Sequence, residues 1–210
     1  MAAAKAAGLV GRKRVLDSTA LYDAVATMDT VTLIGSAIRG LLRAATSTEP
    51  GLEGELRAAL SRDEDYADAG KPVCDYDDKA AREALIDALA RDAHAVLLVL
   101  EGRVVNTAVR QAGELVATVV GQDLAEDQDG VFGIVRGVAA DRVISTVDPQ
   151  ARHGHKTAAR GFDGYKGHLA VDPDSEIITA TTATPGNTGD AEAARDLLAA
   201  ARAGRWTAGR

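Results

Sequence analysis

The sequence predicts an α/β fold in which a long helical stretch separates a short amino-terminal strand from a carboxy-terminal β-hairpin. Three observations carry this. Apolar residues recur at helical spacing through the middle of the chain, from Val31 to Val119. Between Gly164 and Thr184 the pattern changes to alternation broken by one turn. Ahead of the helical stretch, "RKRVLDSTAL" (12–21) places Val15 and Leu16 after a basic start, a short strand that delivers Asp17 to its end.

The elements follow in order. Thr27 or Asp29 caps a first helix, on which Val31, Ile34, Ile38, Leu41 and Leu42 share a face. "TEPGLEG" (48–54) supplies a Pro/Gly stop, and the acidic "SRDEDYADAGKPVCDYDD" (61–78) reads as an exposed loop. Asp75 or Asp77 caps the next helix, whose buried stripe is Ala81, Ala84, Leu85, Ala88 and Leu89 and which runs to about Leu100 before Gly102. A further helix carries Val105, Ala108, Val109, Ala112, Leu115, Val116 and Val119, and Gly121 with "QDLAEDQDG" ends it. "DRVISTV" (141–147) is short and β-branched. In "GYKGHLAVD" (164–172), Tyr165, Leu169 and Val171 face one way and Lys166, His168 and Asp172 the other. "DPDS" (172–175) is a type I turn signal, and "EIITATTAT" (176–184) is the partner strand. After "PGN" (185–187), Thr188 or Asp190 caps a last helix with Ala191, Ala194, Leu197, Leu198 and Ala201 on one face.

Composition narrows the function. The 210 residues are 46% hydrophobic and 26% charged, the balance of a water-soluble globular chain. A single cysteine, Cys74, excludes an internal disulfide and fits a reducing compartment. No apolar run approaches the roughly 20 residues of a bilayer helix, and "MAAAKAAGLVGRKR" lacks the apolar core of a secretion signal. Aromatic residues make up only 3%, which disfavours base stacking as a binding mode. A net charge of −7 argues against general adhesion to nucleic acid and leaves room for a local phosphate site.

"RHGHKTAAR" (152–160) is such a place. Arg152, Lys156 and Arg160 occur there without an acid among them, with His153 and His155 inside the tract and His168 shortly after. Three readings compete: a metal site, a solvated basic loop, and an anion site. The His-x-His pair lacks a carboxylate two residues on, where Thr157 stands, and Lys156 would repel a cation. Arg, Lys and glycine-flanked amides suit phosphate oxygens, so anion binding is favoured. Asp17 alone reads as a turn or capping residue, since two-metal phosphoryl transfer needs several carboxylates. Asp148, before Pro149, and Asp163, before Gly164, read as turn openers.

"RVLDST" (14–19), "DPQARHGHKTAARGFDGYKGHLAVD" (148–172) and "IITATTATPGNTGDAEAARDLL" (177–198) together resemble bacterial insertion-sequence transposases of the DDE type, over roughly residues 12–198. The resemblance implies a partial RNase H-like core, its first three strands and following helix, with a large α-helical insertion between the first strand and the β-hairpin. On it, residues 12–29 hold the first core strand and the catalytic Asp, 30–140 the insertion, 141–203 the hairpin and core helix, and 204–210 an irregular tail. Asp17 matches the first acid of the catalytic triad and so a metal ligand, with Mg²⁺ as the cofactor of intact relatives. In those relatives three carboxylates hold two ions for phosphodiester hydrolysis and strand transfer.

The basic strip, with Arg152, His155, Lys156, Arg160 and Lys166, would contact the backbone of transposon ends and target DNA. Where the family carries its second Asp and its Glu, this sequence ends in "AARAGRWTAGR", so an incomplete, catalytically inactive fragment is expected. Open sheet edges that invite association are expected with it. The implied partners are DNA and a homo-oligomer or full-length transposase, and the implied location is the bacterial cytoplasm and nucleoid. The rival readings are a non-enzymatic DNA-binding or transposase-partner module, and a zinc hydrolase using His153, His155 and His168.

Overall fold

The computed structural model describes residues 2–22, 26–157 and 159–203. In chain order the elements are α1 (Ala2–Ala6), β1 (Val15–Tyr22), α2 (Thr30–Thr48), α3 (Pro50–Ala59), a 3₁₀ turn (Asp63–Tyr66), α4 (Lys79–Leu100), α5 (Thr107–Asp123), β2 (Leu124–Glu126), β3 (Phe132–Ile134), β4 (Arg152–Thr157), β5 (Arg160–Val171), β6 (Ile178–Pro185) and α6 (Asp190–Ala203). The fold is mixed α/β with antiparallel sheets. The chain divides into a sheet unit, residues 1–25 with 150–210, and a helical unit, 26–149. The expected irregular tail, 204–210, lies outside the described residues. Among the described residues no helix is long and apolar enough to cross a membrane.

In the helical unit each long helix begins on a side-chain cap. Asp29 accepts from the Thr32 amide at 2.8 Å, and Asn106 accepts from Val109 at 3.0 Å. α4 is capped by Asp78, one residue beyond the expected Asp77, through the Ala80 amide at 3.0 Å. Pro50 does not end the helical run but opens α3, because a first-turn position needs no amide donor. The stripe of α4 also differs from expectation: Ala84 is exposed, and Leu85, Ile86, Leu89, Ala90, Ala93 and Val96 are buried. Leu33, Ile34, Ile38, Leu41, Leu42, Leu56, Tyr66, Leu89, Val109 and Val116 form the core of this unit.

The expected loop 61–78 is partly built in. Tyr66 is buried, and its hydroxyl donates to Asp92 at 2.9 Å. Residues 141–147 form no strand, although Val143, Ile144 and Ser145 are buried. The Gln122 side chain takes both backbone groups of Val143, and the Met28 amide takes the Ile144 carbonyl, so this segment's hydrogen bonds go to a side chain and a loop.

In the sheet unit β5 is central. β1 runs antiparallel along one edge of it, with Asp17 opposite Leu169 and Ser18 opposite His168. The other edge is shared: β6 pairs with Tyr165–Val171 and β4 with Arg160–Gly164. Gly154 is required where β4 meets the turn after β6, since a Cβ there would collide with the Gly186 carbonyl. Gly164 has φ +127°, a backbone conformation that L side chains rarely adopt, and so marks the junction of the two halves of β5.

α6 covers the face of β5 that carries Ala170, and Leu197, Ala200 and Ala201 pack there with Ala170 and Ala180. Its buried stripe is Ala193, Leu197, Ala200 and Ala201, not one containing the exposed Ala191. The hairpin turn is organised by Asp172, only 1% exposed. Its Oδ1 accepts from the amides of Asp174 and Ser175 at 3.1 and 3.0 Å, and its Oδ2 accepts from Gly11 at 2.7 Å.

Candidate nucleic-acid interface

Strand alternation sends neighbouring residues of β1 to opposite faces. Asp17 lies on the face not covered by α6 and is exposed; its Oδ1 accepts from the Ser18 amide at 2.8 Å. Ser18 points under α6, where it hydrogen-bonds the Asp190 carboxylate. Lys166 donates to the Thr188 carbonyl at 2.9 Å and approaches Asp190 Oδ1 at 3.4 Å. His168 Nε2 lies 2.9 Å from Thr184 Oγ1. A small cavity of about 100 Å³ is lined by Asp17, Ser18, His168 and Asp190 among others. Sequence reasoning gave Asp190 only a capping role and gave Ser18 none. The signal was the alternation itself, which pairs Ser18 with His168.

Lys166, expected to contact DNA, is 7% exposed and has its ammonium committed to the start of α6. Its alkyl stem covers the sheet while its charge is held by Thr188 and Asp190. Burial would raise the Asp190 carboxyl, but Lys166 and the Ser18 hydroxyl outweigh it and hold the group below the usual carboxylate range. His168, 3% exposed, is pushed below the usual imidazole value by burial, with Lys166 and Lys156 adding and Asp190 opposing.

The sign of the linkage follows. Stability is complete above the unfolded imidazole value, near pH 6.5, and falls as pH drops from there through the lower folded value, because the unfolded chain takes the proton first. Urea melts of the chain between pH 7 and pH 5 should therefore show declining stability, and His168→Gln should flatten that slope. An unchanged slope in the variant would remove His168 as the cause.

The basic strip is a strand, not a loop. Its side chains divide between two faces. Gly154 is buried opposite Phe162, so Arg152 shares the inner face, while Lys156 sits at an irregularity of the ladder between His155 and Thr157. His153 and His155 point the other way, with His153 opposite Asp163 and His155 opposite Gly161. Asp163 is thus mid-strand in β5, not a turn opener, and its Oδ1 lies 2.7 Å from His153 Nδ1. His168 belongs to the covered face of β5, so the three-histidine zinc arrangement does not form. Arg160 is exposed at the end of the β4–β5 arm.

Lys156 Nζ donates to the Ser18 carbonyl. On β5 the positions opposite Thr157 and Ser18 are Arg160 and His168, eight residues apart. At about 3.3 Å per residue that is roughly 26 Å of extended strand, far beyond a lysine side chain. The arm therefore bends back towards β1, and this brings a cation of the strip to the residue beside Asp17.

Among the described residues no three His, Cys, Asp or Glu side chains are grouped to hold a metal ion. Asp17 offers one carboxylate, whereas a two-metal phosphoryl-transfer centre is built from several. The described residues do not fit such a centre.

Residues 136–209, about a third of the chain, match the family model described as transposase DDE domain. The matched span contains β4, β5, β6 and α6, and does not reach Asp17. No curated protein and no solved structure matches the chain.

Proposed function

We propose, from a chain whose residues 136–209 match the transposase DDE domain model, that this protein binds DNA as a transposase-like protein of the bacterial insertion-sequence group whose described residues supply no complete metal-binding set. The observation that carries the reading is the Lys156–Ser18 contact, which sets the basic arm beside the strand that bears Asp17. Asp17 is the carboxylate this chain offers to a divalent-metal set, and Arg152, Lys156 and Arg160 hold DNA phosphates. His155 is separated from Arg152 by the alternation of β4 and contributes least. The order of β6, β5 and β1, with α6 following, supports a partial RNase H-like core with residues 30–140 inserted.

Charge supports the division of labour. The sheet unit carries 12 Lys and Arg against 9 Asp and Glu, a net +3; the helical unit carries 12 against 22, a net −10. DNA is accordingly drawn to the sheet unit and repelled by the helical one. The helical unit suits protein partners such as a full-length transposase, a second reading favoured by the groove of about 610 Å³ between α4 and α5, where Leu98 and Val104 are exposed.

Incubated with plasmid DNA and Mg²⁺ or Mn²⁺, residues 1–210 should neither cut nor join strands. Turnover that Asp17→Ala abolishes would overturn the inactive reading. Duplex binding lost when Arg152, Lys156 and Arg160 are neutralised together supports the DNA reading, and unchanged binding moves the function to the helical unit.

A further inference from the structure

The geometry points to a surface site for a divalent transition metal on the outer face of the β4–β5 arm, with His153 and His155 as ligands and Asp163 as the carboxylate that orients His153. Two residues apart on a strand, the two imidazoles stand side by side, with ring centroids 4.8 Å apart and planes at 88°. With metal–nitrogen bonds of about 2.0–2.1 Å, two imidazoles on one ion at roughly 90–110° have centroids about 4.5–5.2 Å apart. The observed separation falls in that window.

Two further features suit a ligand pair. Asp163 Oδ1 lies 2.7 Å from His153 Nδ1, and with Nδ1–H donating to that oxygen the lone pair is on Nε2. A carboxylate on the far nitrogen of a ligating histidine fixes its tautomer and raises its basicity. Both rings converge over Gly161. A Cβ there would meet His153 Cε1 at 3.0 Å, His153 Nε2 at 3.2 Å and His155 Cε1 at 3.6 Å, and would push the His153 ring aside by a few tenths of an ångström.

Two objections raised by the sequence bear on the site. Asp163, paired with His153 across the ladder, does not replace the carboxylate ligand absent at position 157 but orients His153, and solvent fills the remaining coordination positions. Lys156 does not repel the ion, because its ammonium is drawn away onto the Ser18 carbonyl. Two neutral imidazoles with solvent completing the coordination suit Cu²⁺, Ni²⁺ or Zn²⁺, and not the oxygen-preferring Mg²⁺. The site is independent of the proposed metal role of Asp17 and of DNA.

The test is calorimetric titration of the full chain with CuCl₂ and ZnCl₂ at pH 7.5, in a Cys74→Ser background that removes the thiol as a ligand. One ion per chain is expected, with Cu²⁺ tighter than Zn²⁺ and MgCl₂ silent. His153→Gln and His155→Gln should each weaken binding at least tenfold, and Asp163→Asn should weaken it about 10- to 100-fold. Gly161→Ala should weaken it through the rings, while His94→Gln leaves it unchanged. Both histidines are exposed, so their variants should keep the parent far-UV circular dichroism and melting temperature. No binding by the parent chain, or binding that survives His153→Gln with His155→Gln, would overturn the site.

Discussion

Asp92→Ala should destabilise the helical unit by about 3–5 kcal/mol, a large loss for a single substitution. Asp92 is 2% exposed on α4. It accepts from the Ser61 amide and hydroxyl, each at 2.7 Å, from the Arg62 amide at 3.1 Å and from the Tyr66 hydroxyl at 2.9 Å. One carboxylate therefore satisfies the chain where it leaves α3, and it anchors the following 3₁₀ turn. Truncation leaves several buried donors without a partner, at about 1–3 kcal/mol each before relaxation.

Thermal melting followed by circular dichroism should show the transition of this unit lowered by roughly 10–20 °C, from the usual scaling of stability with midpoint. Tyr66→Phe removes one donor and keeps the packed ring, so it should cost about 1 kcal/mol. The double variant should cost less than the sum, because the two groups share a bond. A loss below about 1 kcal/mol for Asp92→Ala would show that solvent replaces the carboxylate and that the 61–66 segment is not anchored by it.

How much of this was legible in the sequence depends on the range of the interaction that decides each feature. The Asp29 cap and the β5–β6 hairpin are local: a capping side chain three residues before its amide, and alternation on either side of an Asp-Pro turn. Pro50 misled for a local reason of another kind, because a proline that stops one helix can start the next with no loop between. β4 was not legible. Its charged tract, with one glycine, has weak strand propensity and becomes a strand because the first half of β5 extends beyond β1 and β6 and offers an edge.

Alternation in β5 gave two faces but not which is covered. The choice falls to α6, whose Ala and Leu stripe seals Ala170 and Ala180 and thereby also buries Lys166 and His168. Those two are tolerated because Thr188, Asp190 and Thr184 meet their polar ends. Asp163 reads as a turn opener in the sequence because its partner is ten residues earlier in the chain and opposite it across a ladder.

The DNA reading makes its sharpest statement in salt dependence. Neutralising Arg152, Lys156 and Arg160 to Ala should abolish duplex binding by the full chain in a gel shift at 100 mM salt. Each phosphate contact releases counterion, so three contacts give a slope of about −2.7 in log affinity against log salt. Between 50 and 200 mM salt the parent chain should then lose affinity about 40-fold. Lys156→Ala alone should shallow the slope by about 1 and weaken binding to all sequences alike, as expected for a backbone contact. Arg103→Ala and Arg110→Ala, on the helical unit and already paired with Glu55 and Glu114, should leave the slope unchanged. The reason for that contrast is the distribution of charge: a unit of net −10 presents a barrier to DNA, while one of net +3, with Arg152, Lys156 and Arg160 on one arm, presents an opening. A slope near zero in the parent chain, or a full slope in the triple variant, would sever the link between this arm and DNA phosphates.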